Sequence, residues 1–99
     1  MRTKIYFLLN EFFRVRYVGK TCGTLKDRLW GHLYEAKRGH KCKKCNGIRK
    51  MFRGGLIPTI TLQTEVEGNG NNAERAYIRH FRNKGVDLWN LTEGGDGLV

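Results

Sequence analysis

The sequence predicts a small α+β domain with its elements in the order β-β-α-α-β-α. Three observations predict it. Two aromatic and β-branched runs stand near the N-terminus, apolar residues recur at helical spacing in three later stretches, and one isolated β-branched run, residues 59–66, separates the second helical pattern from the third. At 99 residues the chain is sized for a single domain, 1–99, because two would each fall near the limit for burying enough apolar surface to fold.

Residues 4–9 and 14–19 read as hairpin strands around Asn10-Glu11 and Phe12-Phe13. Alternation puts Tyr6 with Leu8 on one face of the first strand and Val15 with Tyr17 on one face of the second. After Gly19-Lys20-Thr21-Cys22-Gly23, Thr24 is a helix N-cap with Asp27 three residues on. Leu25, Leu29, His32, Leu33 and Ala36 carry that helix to Lys37, and Gly39 stops it. Arg28 and His32, four apart, share a face.

A basic connection, 41–44, leads to a second helix starting near Asn46, with Ile48, Met51 and Phe52 as its apolar stripe and Gly54-Gly55 as its end. Pro58 opens the third strand, and Gly68-Asn69-Gly70-Asn71 is turn chemistry. A third helix starts at Asn71 or Asn72, holds Glu74 in its first turn, turns Ala73, Tyr77, Ile78 and Phe81 inward and ends at Gly85. Residues 86–99, too rich in glycine for a regular helix, read as packed coil.

The net charge of +10 is unevenly spread: residues 1–60 carry fifteen basic and three acidic side chains, residues 61–99 four and six. Such a one-sided field suits a polyanion, and its binding should weaken with salt. Lys37, Arg38, Lys41, Lys43 and Lys44 form the densest candidate patch for phosphate contacts, extended by Arg49, Lys50 and Arg53. No run reaches the roughly 20 apolar residues of a membrane helix. An odd set of three cysteines gives no disulfide framework, so a reducing, intracellular compartment and no membrane partner are expected.

Lys4-Ile5-Tyr6, Tyr17-Val18-Gly19-Lys20, Arg28, His32, Glu74 within Asn72-Ala73-Glu74-Arg75, and Asn90-Leu91-Thr92 followed by Gly94-Gly95-Asp96-Gly97 resemble the GIY-YIG nuclease family, most closely the catalytic domains of phage and group I intron homing endonucleases. Lys4 stands where the family has its first glycine and Val18 where it has isoleucine; both tyrosines remain. The resemblance implies a three-stranded antiparallel sheet flanked by helices. It also implies a metal-dependent DNA endonuclease that leaves 5′-phosphate and 3′-hydroxyl ends, phage-encoded or at work in a bacterial cytoplasm. The chain would be a whole minimal nuclease or a piece of a longer one, acting on double-stranded DNA with a separate recognition domain or a second copy.

Phosphodiester hydrolysis needs a base, positive charge against the phosphate oxygens and help for the leaving oxygen. Tyr6, narrowly ahead of Tyr17, is the expected base, although a phenol needs cations or a metal to serve at neutral pH. Arg28 can fork two donors onto phosphate and Lys20 adds charge. Glu74 is a hard oxygen ligand for one Mg²⁺ or Mn²⁺ ion that keeps most of its waters. His32 either relays the tyrosine proton or fills space beneath the sheet. Asn90 orients Glu74, a phosphate or the coil around it, Gly19 is a structural part of the motif, and His40 is a secondary candidate.

Two other readings stand beside the nuclease. A noncatalytic nucleic-acid-binding module would need only the charge. A zinc-stabilised interaction domain would use His40, Cys42 and Cys45, a set one ligand short of a closed tetrahedral site.

Overall fold

A computed structural model describes residues 1–91; the expected glycine-rich end of the coil, from Thr92 onward, lies outside the described residues. The elements are β1 (Arg2–Leu9), β2 (Val15–Thr21), α1 (Leu25–Lys37), α2 (Lys43–Arg53), β3 (Thr59–Glu67) and α3 (Asn71–Asn83). The fold is the expected β-β-α-α-β-α arrangement on a three-stranded antiparallel sheet, in the order β2-β1-β3. Among the described residues no helix is long and apolar enough to cross a membrane.

β1 is central, and its two faces build two cores. Ile5 and Phe7 face α3, where Val18, Ile78 and Leu88 complete one cluster. The Phe7 ring meets Tyr77 and Phe81 edge-on, at 5.5 and 5.2 Å. Tyr6 and Leu8, on the other parity, point toward α1 and α2, whose Leu33, Ala36, Cys45 and Ile48 form the second cluster. Both strand pairings slip by one residue. The β1–β3 register jumps between Ile5 and Tyr6 and the β1–β2 register between Leu8 and Leu9, so bulges flank the central stretch that carries Tyr6.

The helix starts follow local chemistry. Thr24 caps α1 through the Asp27 N–H, which donates to its Oγ1 at 3.1 Å. α2 begins at Lys43 instead of near Asn46, because Cys42 Sγ accepts from the Cys45 N–H at 3.3 Å and serves as the cap. α3 is capped by the backbone of Gly70 at φ +75, a left-handed conformation that Thr3 and Ile5 also crowd, so a Cβ there would be both strained and hindered.

The β1–β2 hairpin tip is built by Asn10. Its Oδ1 accepts from the Phe12 and Arg14 N–H groups at 2.9 and 3.1 Å, and its backbone bonds to Arg14 and Phe13. The resulting turn holds Phe13 at φ +58, a conformation costing a bulky residue about 1–2 kcal/mol.

β2 is an edge strand whose outer side is closed by the segment after α3. The Trp89 N–H donates to the Arg16 carbonyl, the Val18 N–H donates to Asn90 Oδ1 at 3.0 Å, and Asn90 Nδ2 donates to the Val18 carbonyl at 2.8 Å. A side-chain amide thus stands in for a neighbouring strand and blocks edge pairing.

Candidate active site

Tyr6 is 1 % exposed and central in the cluster. Its hydroxyl lies 2.6 Å from His32 Nε2, and Arg28 Nε–H donates to its oxygen at 3.2 Å. One helical turn along α1 thus sets both groups over one strand residue. The Tyr17 ring packs beside both, 6.5 Å from the Tyr6 ring and edge-on to His32 at 5.3 Å. Tyr17 is half-buried, and its hydroxyl has no hydrogen-bond partner among the described residues.

Gly19 makes this arrangement sterically possible. It lies opposite Tyr6 in the β1–β2 register, and a Cβ there would overlap the Tyr6 ring and hydroxyl and come within 2.9 Å of Tyr17 Cε2. The Tyr-Val-Gly spacing therefore supplies one tyrosine and, two residues later on the same face, the hollow that receives the other.

His32 sets the hydrogen-bond directions. Nδ1 is buried with no partner among the described residues. Tyr6 is a neutral phenol whose O–H needs an acceptor, and Arg28 can only donate, so the hydroxyl donates to His32 Nε2 while its oxygen accepts from Arg28 Nε–H. Burial, reinforced by the Lys44 and Arg28 cations, drives the His32 pKa down to about 2, so the ring is neutral throughout the physiological range.

Both phenols are harder to ionise than in water. Burial first, then neighbouring Tyr17, push Tyr6 well above the usual phenol range; Arg28 pulls it back and Glu74 pushes it up. Burial pushes Tyr17 up to about 12, against the pull of Arg28 and with Glu74, Glu35 and Cys42 adding to the rise. For Arg28, burial opposes the charge, yet Tyr6, Tyr17 and Glu35 hold its pKa above the ordinary value. Glu74 in the first turn of α3 is 7 % exposed, and its charge reaches both hydroxyls from the helix across the sheet.

Other predicted residues have different placements. Lys20 pairs with Ile5, so it leaves the sheet on the α3 side, where Nζ donates to the Asn69 carbonyl at 3.1 Å and to Asn71 Oδ1. It ties β2 to the start of the helix bearing Glu74. Asn90, expected to orient Glu74, a phosphate or the coil around it, has both ends of its amide bonded to the Val18 backbone and so fixes the segment after α3 against the strand between Tyr17 and Gly19. His40 is exposed in the loop after α1, its Nδ1 3.9 Å from Glu35 Oε2.

Among the expected phosphate contacts, Lys37, Arg38, Lys41, Lys43, Lys50 and Arg53 are exposed, with Lys43 ion-paired to Asp87 at 2.6 Å. Lys44 and Arg49 are instead engaged within the protein. Lys44 is 9 % exposed, ion-paired to Glu35 at 3.5 Å with its ammonium 5.6 Å above the Tyr17 ring. Arg49 donates to the Ala36 and His40 carbonyls, both at 2.9 Å, and clamps the end of α1 onto α2. Lys44 was detectable once the helix was started at Lys43, because 44, 48 and 51 then recur at the spacing of its buried face.

The metal readings divide on donor chemistry. Glu74, a buried carboxylate whose charge is felt by both hydroxyls, has the hard oxygen donors that suit a divalent ion otherwise surrounded by water and substrate phosphate. The zinc set does not fit. Cys42 is engaged as a helix cap, Cys45 is fully buried with its thiol pushed up to about 11 by burial and by Cys42, and His40 turns toward Glu35. Zinc requires thiolates, which that environment disfavours.

No family model, curated protein or solved structure matches the chain.

One prediction concerns stability. His32 is held neutral far below its unfolded pKa of about 6.5, so its contribution is fully present above that pH and is lost as acidification proceeds toward its folded pKa. Denaturant melts between pH 7 and 5, above the carboxylate range, should show stability falling by up to about 1.4 kcal/mol per pH unit. His32→Gln should flatten that slope; an equally steep decline in the variant would remove His32 as the cause.

Proposed function

We propose that the chain is a metal-dependent DNA endonuclease of the GIY-YIG type. The observation supporting this is the Tyr6 hydroxyl, held between the Arg28 guanidinium and the His32 imidazole with Tyr17 packed alongside and the Glu74 carboxylate in electrostatic reach. The Arg28 donor on the phenolic oxygen favours the phenolate over the phenol, and His32 Nε2 fixes the direction of the hydroxyl. In this reading Tyr6 as phenolate takes a proton from a water that attacks phosphorus, the bond from phosphorus to O3′ breaks, and O3′ takes a proton from solvent. The products are a 5′-phosphate and a 3′-hydroxyl.

Arg28 supports the Tyr6 oxygen and draws in the phosphate, and the half-exposed Tyr17 hydroxyl orients the water or the phosphate. A divalent ion bound at Glu74 would supply charge against the phosphate oxygens. The exposed lysines and arginines after α1 and on α2 would hold the duplex through its backbone. The groove of about 660 Å³ elsewhere on the molecule is lined by none of Tyr6, Tyr17, Arg28 or Glu74. A polymer presenting one phosphate needs no enclosing pocket.

The test is incubation of supercoiled and linear DNA with the protein, with and without Mg²⁺, between pH 7 and 9. Because both phenols are pushed upward, the expected result is Mg²⁺-dependent nicking whose logarithmic rate climbs about one unit per pH unit. Salt-sensitive binding without any product under every condition would leave only a nucleic-acid-binding module.

A further inference from the structure

Phe12 and Phe13, at the far end of the β1–β2 hairpin from the strand termini, are 72 % and 74 % exposed, adjacent in sequence and packed into neither core. Two large apolar rings in water gain nothing for this fold, and Phe13 is additionally held in a left-handed conformation that a phenylalanine resists. The tip is nevertheless firmly built. The buried Asn10 fixes Phe12 and Arg14 through its side chain and closes the turn through its backbone, so the rings are presented from a rigid base.

The surroundings identify the occupant. Phe12 borders the groove of about 660 Å³ between the hairpin and α2, where Arg14, Arg16 and Lys50 supply positive charge and Trp89 a further aromatic surface. Glu11 and Asp87 also line it, and the Asp87 carboxylate is held by Lys43. Cations in a groove beside projecting rings suit a polymer that carries phosphates outside and stacked apolar faces inside.

The geometry points to the hairpin tip as a DNA wedge: Phe12 and Phe13 enter the base stack of a duplex whose backbone lies in the Arg14–Arg16–Lys50 groove. Such apolar insertion unstacks a base step and kinks the duplex. The inference rests on the nuclease reading for its DNA partner and deepens it by assigning a second contact, away from the hydroxyl cluster. Four residue steps lead from Tyr6 to Asn10, about 13 Å at roughly 3.3 Å per step. With the turn added, the wedge sits on the order of five base pairs from the phosphate at Tyr6, at 3.4 Å per pair.

The test uses the full chain in EDTA, so that binding is read without cleavage, on duplexes carrying 2-aminopurine at successive positions. The wild type should raise fluorescence at one step. Phe12→Ala and Phe13→Gly should each abolish that rise and weaken duplex affinity about tenfold, with the salt dependence unchanged because the cations remain. Phe13→Gly should melt no lower than the wild type, since glycine accepts the positive φ. Unchanged affinity and fluorescence in both variants would overturn the wedge, as would an affinity loss explained by a lowered melting temperature or an equal loss on single strands. A wild-type protein that unstacks the duplex yet never cuts it with Mg²⁺ leaves the wedge standing and removes the nuclease. Cutting by the wild type with no effect of the phenylalanines does the reverse.

Discussion

Arg28→Ala is expected to lower Mg²⁺-dependent DNA cleavage by at least about a hundredfold while the protein stays folded. The guanidinium is half-buried and donates through Nε to the Tyr6 oxygen, and its charge pulls the ionisation of both phenols downward against burial. Without it, Tyr6 keeps the desolvation and the repulsion from Glu74 but loses the opposing cation. Arg28→Lys should rescue little, because a lysine restores a point charge without the planar fork. Glu74→Gln, which keeps the buried volume, should cause a comparable loss by weakening the hold on the divalent ion. Single-turnover plasmid nicking at saturating Mg²⁺ measures both, with thermal melts as the control. Turnover within threefold of wild type in Arg28→Ala and Glu74→Gln alike would defeat the hydrolytic reading.

Gly19→Ala should be severely damaging for a change of one carbon. The added methyl lands on the Tyr6 ring, which is sealed between the sheet and α1 and has no direction in which to retreat. Overpacking of this kind costs roughly 1–3 kcal/mol. For a domain of this size the melting temperature should fall by at least about 5 °C. Displacement of the hydroxyl from Arg28 and His32 should also reduce cleavage beyond what the lost stability explains, as assayed well below the melting temperature. A variant that melts and cuts like the wild type would show that Tyr6 does not depend on the hollow at Gly19.

The fold was legible because its signals are local. Thr24, Gly39, the Gly68–Asn71 turn and the apolar stripes each speak within a few residues, and element order and sheet composition followed from them. The N-terminus of α2 was misplaced because a cysteine is a weak capping signal and the three lysines around it, Lys41, Lys43 and Lys44, read as loop. Within the site, the Arg28–His32 spacing on one helix face was readable, and the structure sets both against Tyr6. The placement of Lys44, Arg49 and Asn90 was not. Each is polar and sits where sequence suggests solvent or substrate, but tertiary packing directs them to Glu35 and Tyr17, to the end of α1, and to the Val18 backbone. Burial likewise decides the sign of the tyrosine shifts, which residue identity alone leaves open.

The two cores on opposite sides of β1 have a consequence for a chain still emerging from the ribosome. Most of the positive charge is synthesised by residue 60, so a nascent chain can cling to polyanions early, whereas Glu74 and the segment that braces Val18 come last. Attraction thus precedes completion: under the nuclease reading, a prematurely terminated product would carry the cationic surface without Glu74 or the brace on Val18.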